Sequence, residues 1–155
     1  MTPGAPFFLD QRGGGGRAEP MRQHEQVPHI ALVTLVVSDY DEAIAFYVDA
    51  LGFELREDMA LDAGKRWVVV APPGAPETGI LLAQAADDAQ AARVGDQTGG
   101  RVALFLNTDD FSRDYERMRA AGVRFNEEPR TEAYGTVVVF FDLYGNQWDL
   151  IEPRT

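Results

Sequence analysis

Two glycines 70 residues apart, Gly52 and Gly122, each close a stretch with the same grammar. Ahead of Gly52, His29 to Val37 (HIALVTLVV) is an almost continuous apolar, β-rich run. Ser38-Asp39-Tyr40-Asp41-Glu42 then opens a helix, with Asp39 as N-cap and Glu42 as its capping-box partner. Ile44, Tyr47 and Leu51 share one helical face, and Gly52 takes the left-handed position that ends the helix. Ahead of Gly122, Val102 to Leu106 (VALFL) reads as a strand. Thr108-Asp109-Asp110 then caps a helix with Phe111, Tyr115 and Met118 on one face. Self-similarity at a fixed period means that one supersecondary unit occurs twice.

Each unit continues in strands. Phe53 to Arg56, Arg66 to Ala71 and Gly79 to Ala83 follow the first glycine; Pro72 to Pro76 is a loop. Val123 to Phe125, Thr136 to Phe141 and Gln147 to Ile151 follow the second. The unit is β-α-β-β-β, with module one at about 29–83, a linker at 84–100 holding a short surface helix, and module two at about 101–153. The first strand lacks alternation and is read as buried on both faces. A four-stranded sheet with one helix covers only one of its faces, so the other needs a second sheet or a partner chain. The expected fold is therefore α+β, two modules curling into an open, incomplete β-barrel whose concave face receives a ligand. Residues 1–28, with four consecutive glycines and four prolines, read as a flexible N-terminal arm.

Composition removes several functions. A chain of 155 residues, 45% hydrophobic, is one domain's worth. Its net charge of −11 repels the phosphates of nucleic acids and anionic membrane surfaces. Without cysteine there is no disulfide, thiolate nucleophile or Cys-based zinc site, which suits a cytoplasmic location. No segment approaches the roughly 20 apolar residues of a membrane span, and no signal-peptide pattern opens the chain. There is no G-x-S-x-G elbow and no phosphate-binding glycine loop after a strand. The two histidines, His24 and His29, sit before or at the start of the first strand.

The chain ends in a hairpin. Phe140 to Leu143 and Gln147 to Glu152 flank a turn in which Gly145 and Asn146 are expected to supply positive φ. Alternation puts Trp148, Leu150 and Glu152 on one face, and Asp149 and Ile151 on the other. Asp149 is thereby expected to look into the cavity, with Trp148 turned toward a helix or a subunit interface and Glu152 solvated.

These residues resemble the vicinal oxygen chelate superfamily, which includes glyoxalase I, fosfomycin-resistance enzymes, extradiol dioxygenases and bleomycin-resistance proteins. The resemblance lies in Leu35 to Asp39, Ala45-Phe46-Tyr47, Leu51-Gly52-Phe53, Met118 to Val123 (MRAAGV) and Phe141 to Leu150. It implies paired β-α-β-β-β modules, a homodimer and, in enzymatic members, a divalent metal held by His, Gln and Glu. The implied ligand positions fall here on Leu32, Leu81 or Leu82, Arg101 and Asp149, of which only Asp149 can ligate a metal.

An ion pair in place of the metal is the resulting expectation, with Arg101 opposite Asp149. Arg101 would either satisfy Asp149 or receive a ligand's anionic group. Trp67 on a cup-facing strand could stack on a flat ligand, and Tyr134, in the loop before a strand, could close over it. The leading reading is a metal-independent small-molecule binder, using Arg101, Asp149, Trp67, Tyr134 and Leu32, with no cofactor. The rival is a metal-dependent lyase or dioxygenase whose metal would take Asp149 and, if the register of the first strand slips, His29.

Overall fold

The computed structural model describes residues 27–155. The arm expected over 1–28 and His24 therefore lie, but for Val27 and Pro28, outside the described residues.

The first module runs β1 (Leu32–Val37), α1 (Tyr40–Ala45), β2 (Glu54–Ala60), β3 (Arg66–Ala71) and β4 (Gly79–Gln84). A short α2 (Asp88–Ala91) follows in the linker. The second runs β5 (Val102–Asn107), α3 (Phe111–Ala120), β6 (Arg124–Phe125), β7 (Arg130–Glu132), β8 (Gly135–Phe141) and β9 (Gln147–Pro153). One sheet has the order β1-β4-β3-β2. The other is β5-β9-β8-β6, with β7 also pairing β8. In each, the parallel pair (β1 with β4, β5 with β9) brackets the crossover helix, and the remaining pairs are antiparallel.

The caps explain where the helices begin. Asp39 accepts the amide N–H of Glu42 at 2.8 Å, and Asp110 accepts that of Arg113 at 3.1 Å. The capping box is only half formed. Glu42 instead accepts the Tyr144 hydroxyl, and the Asp39 N–H donates to that hydroxyl. A side chain from the second module has thus taken a local helix cap and made it an inter-module contact. Beyond Ala45 the first helix widens into a π turn, Phe46–Ala50, in which the Leu51 N–H reaches the Phe46 carbonyl. Gly52 at φ +73° and Gly122 at φ +85° end the two helices in left-handed conformation.

Both sheets turn their helix-bearing faces toward one shared core. Leu35, Val68, Val70 and Leu82 enter it from the first sheet, and Phe140, Trp148 and Leu150 from the second. Tyr47, fully buried on the first helix, lies 5.9 Å from the Trp148 ring, and Phe140 stacks on Trp148 at 5.7 Å. Trp148 is accordingly core rather than subunit interface. Beneath this aromatic cluster the carboxylate of Asp142, 1% exposed, accepts four hydrogen bonds. They come from the Tyr47 hydroxyl at 2.7 Å, the amides of Tyr144 and Asn146, and the Asn146 side chain. Burial, with the adjacent Asp142 charge, holds the Tyr47 phenol well above its usual pKa.

Three local expectations are corrected. The first strand begins at Leu32, and Thr34 on its outward face is exposed; lack of alternation marks an apolar strand, not a covered one. In the hairpin only Gly145, at φ +99°, adopts positive φ. Asn146 serves through its side chain on Asp142. Glu152 is not simply solvated: its carboxylate accepts the Phe111 N–H, where α3 starts. The linker is tied as well, since Gln97 accepts the Val36 N–H and donates its own to the Asn146 side chain.

Candidate functional site

With one face of each sheet in the core, the opposite faces look away from it. On the first, strand pairing aligns Thr34, Leu81, Val69 and Glu57 across the four strands, with Trp67 beside Met59. Leu32 leans over Gly79, where an added Cβ would come within 3.2 Å of its side chain. The Trp67 indole N–H donates to Glu57. On the second sheet, pairing aligns Phe105, Asp149 and Val139, and next to them Asn107, Ile151, Val137 and Arg130. Met59 is 57% and Phe105 65% exposed, so among the described residues each face is left open at part of its surface, although Val69, Val137 and Val139 on the same faces are buried.

Asp149 is the anomaly of the second face. It is 7% exposed, one carboxylate oxygen is fully buried, and it has no hydrogen-bond partner among the described residues. Burial raises its pKa; the Arg130 charge opposes that shift and the Glu127 charge adds to it. Arg130 is committed elsewhere. Its guanidinium bonds Glu127 at 3.0 Å and Glu132, and reaches the Tyr134 hydroxyl at 3.4 Å. Glu127 is held in turn by the Val139 N–H at 3.3 Å.

The Arg101–Asp149 pair does not form. Asp149 pairs in register with Phe105, which leaves Arg101 four residues back, roughly 13 Å along the strand. Arg101 is exposed and makes no ion pair among the described residues; it lines a recess of about 390 Å³ with Val102, Phe105 and Gln147. Tyr134, 52% exposed, lies at the other end, beside Arg130. Trp67 and Leu32 belong to the outward face of the other sheet. The candidates are therefore divided between two faces that one chain does not bring together. Sequence reading missed Phe105, Glu127, Arg130 and Glu132. The alternation of Phe105 with Leu104 and Leu106 was visible, but β7 is too short to carry a pattern.

The donor set does not fit the divalent metal that the resemblance implies. Leu32 and Leu81 offer no donor atom, Arg101 is a cation, and no group of three His, Cys, Asp or Glu among the described residues could hold an ion. His29 is exposed ahead of β1, its ring against the Val27 carbonyl.

The sequence profile of the Glyoxalase/Bleomycin resistance protein/Dioxygenase superfamily matches residues 26–150. An uncharacterized protein of Shewanella frigidimarina is 54% identical over 129 residues, 83% of this chain and 93% of its own. The crystal structure of UcmS2 superposes with a TM-score of 0.72 at 32% identity, over 82% of this chain and 99% of that one. That of TnmS3, an antibiotic binding protein from Streptomyces sp. CB03234, gives 0.68 at 32% identity, over 84% and 100%. A shared core of two duplicated sheets, a profile match across both modules and these relatives lead to one conclusion: the chain belongs to the Glyoxalase/Bleomycin resistance protein/Dioxygenase superfamily.

Proposed function

We propose that this protein binds a small, flat, largely apolar molecule without a metal, in a cup that a second copy of the chain completes. The observation that carries the reading is the pair of sheet faces that the described residues leave partly open. One presents Phe105 and Asp149, the other Trp67, Met59 and Leu32, and each is half of an apolar cavity with few polar groups. Two-fold pairing would set the first face of one copy against the second face of the other and form two identical cups. Trp67 and Phe105 would sandwich the ligand, Asp149 would be its buried polar contact, and Arg101 and Tyr134 would stand at the rim. The antibiotic-binding relative TnmS3 supports a sequestering role.

Metal analysis of the purified protein tests the reading directly. We expect less than a tenth of an equivalent of nickel, zinc, manganese or iron, and unchanged ligand affinity after chelation. A stoichiometric metal whose removal abolishes binding would reject it in favour of a lyase or dioxygenase. Arg101→Ala, at the rim, is expected to weaken binding of a carboxylate-bearing ligand several-fold; unchanged affinity would remove Arg101 from the site.

A further inference from the structure

We infer that the ligand carries a basic group, an amine or amidinium, that seats on Asp149. The inference rests on the binding reading above and names the chemistry of that same cup. A carboxylate with one oxygen fully buried and no hydrogen-bond partner among the described residues is costly, because water has been removed from that oxygen and none of those residues replaces it. The neighbouring cation does not replace it: Arg130 spends its guanidinium on Glu127, Glu132 and the Tyr134 hydroxyl. The charges that act on Asp149 are Arg130 and Glu127, so the patch holds two carboxylates and one guanidinium, an excess of one negative charge. Arg124 pairs with Phe141, two residues from the row of Asp149, and its guanidinium is stacked 5.4 Å over that ring, while Arg101 lies four residues back from Phe105.

Three kinds of ligand group can be weighed against this patch. An anion would add repulsion to a desolvated acid. A neutral hydroxyl would give the carboxylate one ordinary hydrogen bond. A protonated amine would give the carboxylate a charge-assisted bond and cancel the local excess, the strongest of the three gains. The chain's net charge of −11 would also draw cations toward the open faces. Beside Asp149 in register, Phe105 offers a ring on which the ligand's flat body can lie.

The test uses 1-naphthylmethylamine and 1-naphthalenemethanol, which share a ring system and differ in one group. Affinity is measured by calorimetry. Location in the cup is read from quenching of Trp67 fluorescence, identified by its loss in Trp67→Phe. We expect the amine to bind at least tenfold more tightly than the alcohol, and this preference to vanish in Asp149→Asn, which keeps the shape and removes the charge. Glu127→Gln, which lowers the excess charge without touching the seat, should reduce the preference only in part. Equal affinities, or a preference that survives Asp149→Asn, would overturn the basic-group inference and leave the binding reading standing. If neither compound binds at millimolar concentration, both fall.

Discussion

Two buried aspartates in the same hairpin meet opposite fates, and the difference is local. Asp142 is surrounded by donors that its own turn and the Tyr47 hydroxyl bring to it, so its charge is distributed over four hydrogen bonds. Removing it in Asp142→Ala strands several buried donors and should cost about 3 kcal/mol or more. Tyr47→Phe leaves the other three bonds in place and should cost only about 1 kcal/mol, both read from urea midpoints. Asp149 has no donors and behaves in the reverse sense. Its folded pKa is raised, so its favourable contribution is complete below the unfolded value near 4 and is lost as pH rises through the folded value. Asp149→Asn should therefore be more stable than the parent at pH 7, by about 1 kcal/mol, with the gap closing in acid. A variant less stable at pH 7 would mean that the ionised carboxylate has a partner in the fold. On the binding reading proposed above, that cost is offset by what Asp149 meets from outside.

The β8–β9 hairpin is the element that joins site and core. One face of β9 sends Trp148 and Leu150 into the aromatic cluster, while the other holds Asp149 outward, so the position of the acid is set by packing on the far side. The start of β8 is set by Gly135, at φ +150°, where the backbone passes β9 so closely that an added Cβ would lie 2.2 Å from the Glu152 carbonyl oxygen. Gly135→Ala must push backbone against backbone and should lower stability by about 3 kcal/mol in thermal or denaturant unfolding. Gly52→Ala, also at positive φ, would meet only the Arg117 side chain, whose flexible end can move, and should cost less. Equal losses would show that left-handed backbone, not close approach, governs both sites.

At the scale of the molecule, the two modules spend their helix-bearing faces on each other, and among the described residues their other faces leave Met59 and Phe105 exposed. A second copy is the simplest cover, and sedimentation should find a dimer at micromolar concentration. Phe105→Asp changes a side chain that is 65% exposed in the single chain, so the monomer should keep its unfolding midpoint within about 0.5 kcal/mol. The dimer should dissociate and ligand binding should disappear with it. A variant that stays dimeric would place the subunit contact on another surface. Among the described residues no helix is long and apolar enough to cross a membrane.

What the amino-acid order determined by itself was whatever depends on near neighbours in the chain. The Asp39 and Asp110 caps, the helix-ending glycines 52 and 122, the alternation on β9 and the 70-residue duplication are all local signals. From them the two modules and the family could be read. Near neighbours could not say which residues of different strands meet. Asp149 was placed on its face by alternation, but its partner was misassigned to Arg101, because register between β5 and β9 is a tertiary fact and four residues of offset separate the two. The three-residue β7 that brings Arg130 beside the acid carries no period of its own and exists only because β8 offers it an edge. Only the folded chain decided that the two faces look away from the core and that Asp149 is buried without a partner among the described residues. Burial and hydrogen bonding depend on atoms far apart in sequence, and no periodicity records them.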